Sequence, residues 1–120
     1  MEQLLLHAIG DYWIQTDKQA LNKKKKGWHG AFQCWLHCVT YSLPFLLIGS
    51  IPAVLVIFLT HYWIDRTQII AWAIAYKNGV KTIKNFGFGE ERPFAITIWL
   101  YIICDNIVHI TCNYFALKYL

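Results

Sequence analysis

From Gly27 to Ile64 the sequence carries no Asp, Glu, Lys or Arg. A helix crosses the hydrocarbon of a bilayer with about 20 apolar residues, so this run predicts two spans joined by a tight turn. Pro44, Gly49, Ser50 and Pro52 mark that turn, just past the middle of the run. A second charge-poor stretch, Pro93 to Leu117, has Asp105 as its single formal charge and predicts a further span. Charged residues make up 15% of the chain, against about 25% in an ordinary soluble domain. With 120 residues the chain is long enough for one domain, residues 1–120.

The expected fold is all-α, an integral membrane bundle of four helices with inward-facing His/Asp stripes. The predicted helices cover residues 2–18, 31–48, 52–76 and 93–117. The first is short and half polar, and fits either a marginal span or a helix wedged into the bundle from one interface. Pro44 is expected to kink the second helix, and Pro52 suits the first turn of the third. Asn78-Gly79 is expected to end the third, and Glu90 and Glu91 suit the N-terminal end of the fourth. Residues 19–30 and 77–92 are predicted basic loops. With alternating spans both fall on one side, which the positive-inside rule makes cytoplasmic. The expected location is therefore the inner (cytoplasmic) membrane, multi-pass. No basic region precedes Leu4 to Leu6, so no cleavable leader is expected.

Each predicted helix also carries a polar line. His7 and Asp11, His61 and Asp65, and Asp105 and His109 are spaced four apart, so each pair shares one helix face. His29 and His37 supply the fourth line and complete the five His of the chain. Charged groups in hydrocarbon are costly and usually mark function. One such pair could simply satisfy itself by hydrogen bonding; three in one chain point to a metal or proton site. Imidazole and carboxylate together suit Zn, Mn or Fe, and mixed His/Asp sets typify hydrolytic centres. The assignment is His7, Asp11, His61, Asp65, Asp105 and His109 as ligands to one or two divalent ions, with zinc preferred. His29 or His37 completes the shell or acts as general base, and Arg66 holds an anionic group or snorkels. Gln15, Gln33, Gln68, Asn106 and Asn113 are candidates to orient ligands.

The other motifs read more plainly. Cys34, Cys38, Cys104 and Cys112 fall in apolar segments without a C-x-x-C pair, and are expected to be buried free thiols. The six Trp are expected at membrane interfaces or in packing. Lys23 to Lys26, in a chain of net charge +4, are expected to anchor on anionic lipid, with no nucleic acid as partner.

The segments H-A-I-G-D-Y-W-I-Q (His7 to Gln15), H-G (His29, Gly30), L-H (Leu36, His37), T-H-Y-W-I-D (Thr60 to Asp65) and D-N-I-V-H (Asp105 to His109) extend these pairs along the whole chain. In that order they resemble a family of small bacterial and phage membrane proteins of unknown function, itself similar to membrane-bound metal-dependent hydrolases. The resemblance implies a phage origin and a ligand set of His7, Asp11, His29, His37, His61, Asp65, Asp105 and His109. The family often has Gln where Asn106 stands, which leaves the ligands intact. The expected function is a membrane-embedded metal-dependent hydrolase, acting on a phosphoester or lipid-like substrate. The alternative is a non-enzymatic small membrane protein: an ion or proton pathway, or a phage interaction factor. A homo-oligomer could complete a site or a pore.

Overall fold

The computed structural model describes all residues 1–120. It is all-α, with six α-helices: α1 (Glu2–Ala8), α2 (Asp17–Asn22), α3 (Trp28–Ser42), α4 (Ile51–Arg66), α5 (Ile69–Lys77) and α6 (Phe94–Tyr119). The chain forms two compact units. One comprises Met1–Arg66 with His109–Leu120, the other Thr67–Val108.

Four uninterrupted spans are not what forms. Only α6 is long and apolar enough to cross a membrane. The predicted first helix stops early: α1 widens into a π-helical stretch, Ile9–Ile14, and the backbone turns extended at Gln15 (φ −62°, ψ 121°). Thr16 then starts a new helix. Its hydroxyl accepts from the Gln19 N–H while the Gln19 side chain accepts from the Thr16 N–H. This reciprocal capping box is why α2 forms across the boundary between the predicted first helix and the predicted basic loop 19–30.

The predicted second helix runs as α3 and then tightens at Pro44 into a 3₁₀ stretch, Leu43–Leu47, the expected site of distortion. The predicted third helix breaks in two. Pro52 sits in the first turn of α4 as expected, but Gln68 leaves helical geometry (φ −107°, ψ 27°) and α5 begins at Ile69. The Ile69 N–H is taken up by the Thr67 hydroxyl at 3.4 Å, a local side-chain bond that competes with helix continuation.

In the Met1–Arg66/His109–Leu120 unit, Tyr41, Phe45, Ala53, Val54, Ile57 and Ala116 form the apolar core. On α4 the inward face is Ala53, Ile57, His61 and Asp65, whereas Ile51, Leu55, Leu59 and Trp63 lie exposed at four-residue steps. Apolar groups thus line the outside, and polar groups share the inside.

The Thr67–Val108 unit is organised by the connection into α6. Asn85 and Phe86 both take positive φ (49° and 58°), rare for side chains of this kind. Asn85 repays the strain locally. Its amide donates to the carbonyls of Gly89 (3.1 Å) and Arg92 (3.0 Å), and its side-chain oxygen accepts from the Thr97 hydroxyl (2.6 Å). The Phe86 ring stacks on Tyr101 at 4.8 Å.

Candidate metal centre

Four separate segments deliver the polar side chains of the first unit to one place. His7 ends α1 and Asp11 sits in the π-helical stretch; such widened turns recur at functional sites. His37 and Tyr41, one turn apart on α3, are both fully buried. His61 and Asp65, one turn apart on α4, are each 1% exposed, as is His109 on α6.

At the centre three donors face one another. His37 Nε2 lies 3.0 Å from His61 Nε2, and Asp11 Oδ1 lies 3.2 Å from the first and 3.4 Å from the second. Asp65 Oδ2 makes a second triangle on the same imidazole edge, 3.4 Å from each Nε2. Its other oxygen lies 3.6 Å from His109 Nε2. Donors held at 2.0–2.1 Å by a tetrahedral ion stand about 3.3 Å apart. Each triangle is therefore the size of one face of such a shell.

The protonation problem is sharper than the distances. Asp11 Oδ1 is buried and has no hydrogen-bond partner. Two imidazole nitrogens 3.0 Å apart can share one proton, which satisfies their own contact and leaves the carboxylate oxygen unmet. A single cation would satisfy all three donors. The residues present thus fit a divalent ion.

The surroundings orient these groups unevenly. The Tyr41 ring stacks on His61, centroids 3.7 Å apart. The Tyr41 hydroxyl accepts from Asn113 Nδ2 at 2.6 Å and sits 2.7 Å from His7 Nδ1. His7 Nδ1 in turn lies 3.4 Å from Asp11 Oδ2. By contrast, His37 Nδ1 and His61 Nδ1 have no hydrogen-bond partner, so ring packing positions them rather than the usual carboxylate or carbonyl behind a metal-binding His.

Tyr41→Phe should deprive both His7 and Asn113 of that hydroxyl in a buried site. The expected cost is about 1–3 kcal/mol, read as a lower thermal midpoint, with the ring stack on His61 retained. An unchanged midpoint would show that water or another group takes the hydroxyl's place.

On the more open side stands a cation. Lys23 Nζ lies 2.8 Å from Asp65 Oδ2. With its amide oxygen toward Lys23, Gln15 accepts from Nζ at 3.0 Å and donates to the Asp11 carbonyl at 3.2 Å. The Lys23 backbone is fixed from α4: Arg66 Nη1 donates to the carbonyls of Lys23 (2.9 Å) and Lys25 (2.8 Å).

These arrangements span almost the whole chain, and so does the sequence match. The family model described as "Protein of unknown function (DUF3307)" covers residues 1–118. The chain belongs to the DUF3307 family. No curated protein and no solved structure matches it.

Of the site residues expected in this DUF3307 member, the first unit gathers His7, Asp11, His37, His61, Asp65 and His109. His29 is exposed in the first turn of α3. Arg66 is spent on the two carbonyls. Asp105 falls in the Thr67–Val108 unit, half-buried, one turn before His109 on α6. Asn106 donates to the Ile102 carbonyl on its own helix at 2.8 Å. Two further participants, Tyr41 and Lys23, lie outside the expected set of ligands and orienting groups. Tyr41 was legible as the next step of the His37 stripe. Lys23 was hidden among four adjacent lysines, with nothing in the sequence to separate it from its neighbours.

Proposed function

We propose that this protein is a membrane-embedded hydrolase that uses a divalent metal ion, preferably zinc, on a phosphoester or lipid-like substrate. The observation that carries this reading is the buried triangle of Asp11 Oδ1, His37 Nε2 and His61 Nε2, with edges of 3.0–3.4 Å. A donor set of two imidazoles and a carboxylate is that of catalytic zinc centres, whereas structural zinc sites are built on thiolates. Such an ion polarises a scissile ester and lowers the pKa of a nearby water.

The chain's own residues divide the rest of the work. His109, oriented by Asp65 at 3.6 Å, is placed to take up a proton beside the triangle. Lys23 brings a positive charge to the less buried side, where an anionic phosphoester would approach. Tyr41 and Asn113 hold His7 in place.

Lipid surroundings are supported by the inside-out distribution of side chains. All six Trp are among the exposed large hydrophobics, as is the Ile51, Leu55, Leu59 and Trp63 stripe of α4. Indole rings suit the headgroup boundary. The inner membrane, with the lysine-rich segments on the cytoplasmic side, is the location we propose.

A proton or ion pathway is the competing use of a His/Asp chain. Here the contacts run inward to Tyr41 and Asn113, which are 0% and 1% exposed. Burial at that end favours a site over a conduit.

The deciding measurement is metal content by mass spectrometry, on full-length protein purified in mild detergent without chelators or a His tag. A stoichiometric divalent metal is expected, followed by phosphodiesterase activity that a chelator abolishes. Folded, metal-free protein that takes up no added zinc would overturn the reading.

A further inference from the structure

Beside the triangle lie two sulfur donors that the proposed hydrolytic centre does not use. On α3, Cys34 and Cys38 stand one turn apart on the same inward face as His37, and both are fully buried. Their sulfurs are 3.9 Å apart. These two sulfurs and an Asp65 carboxylate oxygen all lie within 4.8 Å of one another. Thiolates bound at about 2.3 Å by a tetrahedral ion stand about 3.8 Å apart, so the pair already has the spacing of two ligands. A residue pair four apart on a helix is also the spacing by which helices present two ligands to one ion.

The bland alternative is a thiol chain: Cys34 Sγ also lies 3.9 Å from the Tyr62 carbonyl, to which its S–H can donate. That chain accounts for two S–H groups. Asp65, 1% exposed and held by Lys23 and by imidazoles on either oxygen, still presents a carboxylate oxygen within reach of both sulfurs.

We infer that Cys34, Cys38 and Asp65 form a second, sulfur-bound metal site for a thiophilic d¹⁰ cation, Zn²⁺ first among them, which shares Asp65 with the hydrolytic centre. Both thiols lose their protons to solvent when the ion binds, and the two thiolates balance its charge. Asp65, tied to an ion on the sulfur side, is then fixed in orientation toward His37, His61 and His109. The inference rests on the proposed hydrolytic reading only through that shared residue.

The test is a titration of the reduced, full-length, detergent-solubilised protein with Co²⁺, whose spectrum reports its ligands. Expected are visible ligand-field bands from the His/Asp set plus a near-ultraviolet sulfur-to-cobalt charge-transfer band. The charge-transfer band should vanish in Cys34→Ser and in Cys38→Ser, with one fewer ion bound per chain, and persist in Cys104→Ser and Cys112→Ser. Cd²⁺ on the wild type gives the same readout through its own thiolate band, should a serine variant fail to fold. Cobalt bound with ligand-field bands but no charge-transfer band overturns the sulfur site and leaves the hydrolytic centre standing. A band that survives both serine substitutions overturns it equally. No cobalt bound at all overturns both.

Discussion

His61→Ala should empty the metal centre. The imidazole is one corner of the Asp11–His37–His61 triangle and an edge of the Asp65 triangle, so its loss removes a donor from both. Groups that merely orient a ligand cost about 10–100-fold in metal affinity when removed; a ligand itself should cost more than about 100-fold. Zinc content should then fall from stoichiometric to trace, and any phosphoesterase activity with it. His61→Ala also opens a hole under the Tyr41 ring, so Asp11→Asn and His37→Gln are the companion variants that keep volume. All three should lose zinc while keeping their helical circular dichroism. His29→Ala should keep it, because His29 is exposed at the start of α3. Full zinc in all three triangle variants would dismiss these residues as ligands.

Gly30→Ala should be among the most destabilising single-methyl changes available. A Cβ at Gly30 would stand 2.0 Å from the Lys25 carbonyl oxygen, 2.9 Å from its carbon and 3.0 Å from the Asn22 carbonyl oxygen. These are backbone atoms and cannot rotate aside. Ala is favoured over Gly in a helix by about 1 kcal/mol, and that gain is outweighed here. The connection from α2 to α3 must lift, which costs about 1–3 kcal/mol of overpacking and strains the two Arg66 hydrogen bonds that hold it. A net loss of about 2–4 kcal/mol is expected, measured by denaturant or thermal unfolding in detergent. Lys23 should also leave Asp65, so the effect reaches the site. Unchanged stability would mean that the connection rests elsewhere than against Gly30.

What the sequence made legible follows from what spacing can encode. Four-residue steps are a property of the helix itself, so the shared face of His61 and Asp65, and of His37 and Tyr41, follows from order alone. Pro44 and Pro52 are likewise local, and the distortion at the first and the helix start at the second lie where their rings dictate. The interruption of the first helix was encoded in Thr16 and Gln19, a capping pair masked by the surrounding lysines. The break at Thr67–Gln68 was not legible, because an apolar run on both sides reads as one helix. Apolar length exceeds the number of spans for the same reason, because it runs on through points where the backbone turns. Lys23 shows the limit on the site side. Its role comes from Arg66 and Asp65, which are distant in sequence and reachable only in the folded chain.

The division of the chain has a consequence for the order of events during synthesis. Asp11, His37 and His61 all precede Arg66, whereas His109 is made only after the whole of Thr67–Val108. Contacts close in sequence form before those that must close a long loop. The three-donor triangle can therefore assemble while the ribosome is still making the second unit. His109 arrives last, on a helix whose first half belongs elsewhere, so the three-donor triangle is complete in a nascent chain before the His109–Asp65 pair can form.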